Sequence, residues 1–71
     1  MEYGVRTYGR IELAQAYNPN LHPQVAWRKL KEWMEVNKEL AAALRKTGYD
    51  ERKRSFTPKQ VKLIFEYLGE P

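Results

Sequence analysis

The 71-residue sequence predicts a single, mainly α-helical domain of four helices that spans residues 1–71. Apolar residues recur at helical spacing in four segments, and residues that start or stop helices bound each segment. The chain has no cysteine, which excludes disulfides and thiolate metal sites, so stability must come from apolar packing or from a partner. Two Trp, five Tyr and two Phe make such packing feasible in a compact domain.

The first helix is expected over residues 10–17. Either Thr7 or Gly9 can cap its start, and Glu12, three residues after Gly9, favours Gly9 as the cap. The polar turn at residues 18–20 ends this helix. Its expected inward positions are Ile11, Leu13, Ala14 and Tyr17.

The second helix is expected from Pro23 to Val36, and its core face covers an arc of roughly 120° at about 100° per residue. Asn37 can end this helix and cap a third, which runs to about Lys46 and stops at Gly48. The core face of the second helix comprises Ala26, Trp27, Leu30, Trp33 and Met34, and that of the third comprises Leu40, Ala43 and Leu44.

The fourth helix has the most complete set of local signals. Thr57 can cap its start, Pro58 fits the first turn, and Gln60 completes a capping box. Phe56 and Val61 are placed as a hydrophobic staple. Its apolar face comprises Val61, Ile64, Phe65 and Leu68, and Gly69 ends it.

A short two-stranded ribbon is also expected. Residues 3–6 alternate apolar and polar side chains and can pair with residues 54–56. Two strands are marginal alone, so the ribbon must lie on the helices.

The net charge of +4 is unevenly distributed along the chain. Between Arg45 and Lys62 there are seven basic and two acidic residues, so this window carries 7 − 2 = +5. The window is either a solvated surface or a phosphate-facing patch, since its composition fits both. On the second interpretation, the phosphate contacts are Arg52, Lys53, Arg54 and Lys59.

A polar stripe on the second helix is a candidate for contacts with base edges. Gln24, Arg28 and Lys31 lie opposite the core face at spacings of four and three, in the helix's N-terminal half. A helix that reads the major groove inserts its N-terminal residues, and Arg and Gln suit guanine and adenine edges. Any amphipathic helix also has a polar face, and that alternative stays open.

The sequence has no pattern typical of an enzyme. It offers no paired carboxylates, no nucleophile with a base and no glycine-rich phosphate loop, and His22 before Pro23 fits a helix cap better than a metal ligand or base. We therefore expect no catalytic residues, no metal, no cofactor and no small-molecule substrate. Without a signal peptide or a membrane-spanning apolar run, the protein is expected to be cytoplasmic.

The two ends of the chain resemble winged-helix regulators of the excisionase and mercury-resistance-regulator type. The resemblance rests on Glu12-Leu13-Ala14 in the first helix and on Arg54-Ser55-Phe56-Thr57 before the last one. It implies a helix-turn-helix-like, DNA-binding domain. The chain departs from those proteins at Lys38–Lys46, where a helix is expected in place of their wing.

A second resemblance covers nearly the whole chain, from Tyr3 to Pro71. Its most specific segments include Ala26-Trp27-Arg28-Lys29-Leu30, Thr47-Gly48-Tyr49 and the run from Ser55 to Val61. These segments are similar to a family of short bacterial proteins classed as a domain of unknown function. This resemblance implies neither an activity nor any site residues.

We interpret the sequence as a helix-turn-helix-like protein that binds double-stranded DNA. The alternative is a non-enzymatic interaction module or homodimer. That alternative is based on Leu63 and Tyr67, which lie outside the apolar face of the fourth helix and are candidates for a dimer interface.

Overall fold

A computed structural model describes residues 4–50 and 52–71. This part of the chain forms four α-helices and a two-stranded antiparallel ribbon. The mainly α-helical fold and the bounds expected for the helices are confirmed. The elements are β1 (Tyr8–Gly9), α1 (Arg10–Tyr17), α2 (Pro23–Val36), α3 (Lys38–Lys46), β2 (Ser55–Phe56) and α4 (Pro58–Leu68).

The ribbon exists, but its first strand was expected too early in the chain. Tyr8 pairs with Phe56 and Gly9 with Ser55, whereas residues 4–6 form no strand and Tyr3 lies outside the described residues. The physical reason is burial. Tyr8 and Phe56 are both buried in the core, while Val5, which suggested the earlier strand, is exposed.

The starts of α1 and α4 are closed by the expected capping residues. Glu12 accepts a hydrogen bond from the Gly9 backbone N–H at 3.1 Å, so Gly9 is the cap of α1. In α4, the Thr57 hydroxyl accepts from the Gln60 N–H at 3.3 Å, and the Gln60 side chain accepts from the Thr57 N–H at 3.0 Å. This reciprocal pair satisfies two backbone donors that a helix start otherwise leaves open.

The helix α3 stops at Gly48 as expected, and its end forms a Schellman motif. Gly48 adopts a φ of 82°, its N–H donates to the Arg45 carbonyl, and the Tyr49 N–H donates to the Leu44 carbonyl at 3.2 Å. Tyr49 then stacks on Phe56 with ring centroids 5.3 Å apart. The turn after α3 is thereby fixed to β2.

The core lies between the four helices and the ribbon. The sequence predicts Trp33 in the core, and this prediction is wrong. The Trp33 side chain is 37 % exposed and packs against Tyr17 of α1 at the edge of the core. Leu63 is only half-buried and packs against the core. The buried apolar residues are Tyr8, Leu13, Ala14, Ala26, Leu30, Met34, Leu40, Leu44, Phe56, Val61, Ile64 and Phe65.

Candidate nucleic-acid interface

The helices α3 and α4 run antiparallel, and this arrangement gives the molecule two different ends. Gln60 in the first turn of α4 donates from Nε2 to Thr47 Oγ1, just after α3, at 3.0 Å. At the other end of the pair, Leu68 lines the same groove as Lys38 and Glu39 at the start of α3. The end of α3 is therefore next to the start of α4.

This arrangement gathers basic residues that are separate in the sequence. Arg45 and Lys46 lie in the last turn of α3, and Lys59 and Lys62 lie in the first half of α4. All four residues are exposed. We call this side of the molecule, together with Arg54 and Gln24, the basic end.

A groove of about 410 Å³ opens at the basic end. Gln24 and Arg54 both line it, although they are 30 positions apart in the sequence (54 − 24). The groove therefore joins the stripe on α2 to the basic loop before β2, which contains Arg52, Lys53 and Arg54. The backbone supports this placement, since the Arg10 N–H donates to the Arg54 carbonyl at 2.9 Å and ties the start of α1 to β2. The groove is lined by Gly9, Arg10, Ile11, Glu12, Gln24 and Arg54.

The stripe predicted on α2 is partly accessible. Gln24 and Arg28 are exposed, whereas Lys31 is half-buried. His22 caps α2, with Nδ1 accepting from the Gln24 backbone N–H at 3.3 Å, which confirms the capping role expected for this histidine. Gln24 and Arg28 are therefore the members of the stripe best placed to contact a ligand.

In the basic loop before β2, Arg52 is paired with a carboxylate of the same loop. Arg52 donates from Nη2 to Asp50 Oδ2 at 2.9 Å, and its backbone N–H donates to Asp50 Oδ1 at 2.9 Å. The guanidinium hydrogen bond is the main cause of the lowered pKa of Asp50. Lys53 and Arg54 are exposed and form no ion pair with a described carboxylate. Their charges are therefore more available to a ligand than the charge of Arg52.

Among the described residues, one carboxylate lines the groove, that of Glu12, and a neighbouring arginine offsets its charge. Arg6 donates from Nη2 to Glu12 Oε2 at 2.8 Å, and this bond, followed by that from the Gly9 N–H, lowers the pKa of Glu12. The same guanidinium lies over the Tyr8 ring, 3.8 Å from its centroid. The groove therefore carries a paired carboxylate together with two arginines that line it.

Sequence reasoning missed Arg10 as a member of this surface. Its guanidinium lies 5.1 Å from the centroid of the Trp27 ring, and that ring lies 6.2 Å from the ring of Phe56. No local pattern distinguishes Arg10 from other surface arginines, because its position over α2 is set by packing across the fold. The pairing of Phe56 with Tyr8 helps to hold this arrangement in place.

Of the two residues predicted for a dimer interface, Tyr67 is 40 % exposed. Leu63 is half-buried in the chain's own core and offers less surface than expected. A larger apolar groove lies at the end opposite the basic one, between α2, α3 and α4. Among the described residues, no three His, Cys, Asp or Glu side chains cluster in a way that could hold a metal ion.

A comparison with known families identifies the chain. The model of a family described as "Domain of unknown function (DUF4248)" matches residues 4–71, and the chain belongs to this family. No curated protein and no solved structure gives a significant match. None of the helices in the described ranges has both the length and the apolar character needed to cross a membrane.

Proposed function

We propose that this member of the DUF4248 family is a helix-turn-helix-like protein that binds double-stranded DNA through its basic end. The observation that carries the proposal is the groove lined by both Gln24 and Arg54. It joins a helix face suited to base edges with a loop suited to phosphates. Sequence-specific DNA-binding proteins that read base edges combine both kinds of contact, because phosphate contacts position the protein and base contacts specify the sequence.

The charge balance of the basic end favours a polyanion. Arg45, Lys46, Lys53, Arg54, Lys59 and Lys62 are all exposed there. The two described carboxylates nearby, Asp50 and Glu12, are each paired with an arginine. A phosphate backbone approaching this surface would meet exposed cations, and the carboxylates nearby among the described residues are already paired with arginines.

Helix dipoles add to this attraction. The starts of α1 and α2 both lie at the groove, as the lining residues Arg10 and Gln24 indicate. The start of α4 lies beside the end of α3, where Arg45 and Lys46 are located. The N-terminus of a helix carries about half a positive charge, which favours phosphate. The capping bonds at Gly9, Gln24 and Thr57 occupy some of the N–H donors there, so the attraction comes from the dipoles and not from open donors.

In this proposal, α2 is the recognition helix. Gln24 and Arg28 lie in its first half and are exposed, so both can reach base edges in a major groove. Arg28 would donate to guanine and Gln24 would pair with adenine. Lys53, Arg54 and Lys59 would hold phosphates on either side, while Arg52 would have to leave Asp50 to do so.

The proposal is tested by titrating duplex DNA at several salt concentrations. Lys53→Ala should weaken binding to every sequence alike and make the slope of log K against log salt shallower by about 0.9, one phosphate contact. Lys38→Ala is the matched control, because it removes the same charge at the end of the molecule opposite the basic end. It should leave the slope unchanged. Because Lys38 lies at the apolar groove, sedimentation must first show that the variant and the wild type have the same oligomeric state.

Arg28→Ala should behave differently from Lys53→Ala. It should reduce the discrimination between the preferred duplex and a scrambled one by about 1–3 kcal/mol, the amount expected for a bidentate base contact. The salt slope should change little. If low-salt DNA causes no amide chemical-shift change at Gln24, Arg28 or Arg54, the DNA-binding proposal is wrong and the interaction module becomes the better account.

A further inference from the structure

We propose that the end of the molecule opposite the basic one binds a second copy of this chain. A groove of about 600 Å³ lies there, where α2 ends, α3 begins and α4 ends. We call this surface the apolar end. It is lined by Trp33, Val36, Asn37, Lys38, Glu39 and Leu68.

The apolar end exposes large side chains that the core does not cover. Val36 is 72 % exposed at the corner between α2 and α3, and Trp33 is 37 % exposed one turn earlier. Leu68, across the groove, is half-buried. Aromatic side chains such as Trp are enriched at the centres of protein interfaces, and a contiguous exposed apolar patch marks an interaction site.

The Trp33 side chain is held in place before any partner arrives. Its ring makes an edge contact with the ring of Tyr17, with centroids 6.2 Å apart and planes at 82°. The Tyr17 hydroxyl donates in turn to the Gly69 carbonyl just after α4. Because Trp33 is positioned by α1 and α4 together, less side-chain freedom would be lost on binding.

The two charged residues that line the groove, Lys38 and Glu39, are complementary to those of a second copy of the chain. Lys38 and Glu39 are adjacent, exposed and opposite in charge, and neither forms an ion pair with another described residue. In a two-fold interface the same patch meets itself, so each Lys38 can face the Glu39 of the other copy. A strongly charged peptide would instead leave one of these two residues facing a like charge.

The position of the basic end removes the main objection to self-association, which is the net charge of +4. Gln24 and Val36 are twelve residues apart on α2, about 18 Å along the helix at about 1.5 Å per residue. This exceeds the screening length of about 10 Å in 0.1 M salt. Two copies joined at their apolar ends would keep their basic ends apart and exposed.

Sedimentation velocity over a range of protein concentrations tests the proposal without DNA. The wild-type chain should form a dimer, and Val36→Glu should raise its dissociation constant at least about tenfold, because each copy would place a carboxylate in an apolar contact. Val25→Glu is the matched control. It makes the same substitution at an exposed valine near the other end of α2 and should leave the dimer intact.

Circular dichroism would show whether Val36→Glu folds. If it does not fold, a second variant tests the same interface. Glu39→Lys places a lysine beside Lys38 on an exposed helix turn and should also weaken the dimer, through like charges facing each other. The proposal is overturned if the wild type stays monomeric at about 1 mM, a limit that excludes all but very weak association. It is also overturned if Tyr67→Glu dissociates the dimer while Val36→Glu does not, because the interface then includes Tyr67 instead.

Discussion

The substitution Leu30→Ala tests whether the apolar arc of α2 has been assigned correctly. Leu30 lies in the middle of α2 and has a relative exposure of 0 %. Truncating a fully buried leucine removes its transfer free energy and leaves a cavity, which together cost about 2–5 kcal/mol. Ala26 and Met34, one turn to either side, are also buried, so solvent has no direct path to fill that space.

That loss is large for a chain of 71 residues. Domains of this size have a free energy of unfolding of about 4–11 kcal/mol, at about 0.05–0.15 kcal/mol per residue. At about 4–8 °C of melting temperature per kcal/mol, Leu30→Ala should lower the melting temperature by about 10–40 °C. If the free energy of unfolding of the wild type is near the low end of its range, the variant would be partly unfolded at room temperature.

Thermal and urea unfolding followed by circular dichroism would measure the effect. Val25→Ala, on the same helix but 37 % exposed, is the control and should change the free energy of unfolding by less than about 1 kcal/mol. If the melting temperature of Leu30→Ala lies within a degree or two of the wild type, as for the control, the helical register that places Leu30 in the core is wrong.

Two further predictions concern polar groups. Gln60→Leu removes the buried side chain that links Thr57 to Thr47. We expect the free energy of unfolding, measured in urea, to fall by about 1–3 kcal/mol. An unchanged free energy of unfolding would mean that this link contributes nothing. Burial raises the pKa of Tyr17 from 10.0 to about 12, so the folded chain keeps this phenol protonated where the unfolded chain ionises. Its contribution to stability is complete below pH 10 and is lost as the pH rises to 12, which unfolding of the wild type and of Tyr17→Phe across this range would measure. An equal loss of stability in both proteins would contradict the assignment.

The sequence by itself determined the bounds of the four helices, because short-range signals set them. The Thr57 and Gln60 capping box and the positive φ of Gly48 act within one helical turn. Their hydrogen bonds form between residues only a few positions apart, and such local geometry can be recognised without knowledge of the fold. The core positions at helical spacing, such as Leu30, follow from the same periodicity.

The tertiary structure decided which apolar and charged residues come together. The strand formed at Tyr8 and Gly9 because Tyr8 had a buried partner in Phe56, whereas Val5 had none. Trp33 stayed partly exposed because α2 lies at an edge of the core there, which periodicity alone does not show.

The same holds for the two candidate surfaces. Gln24 and Arg54 meet in one groove, and Trp33 and Leu68 in another, only because the helices pack in one particular arrangement. Contacts between residues this far apart in the chain depend on the packing of every element between them. A single sequence can therefore supply the residue types of such a surface, whereas the fold decides which of them share it.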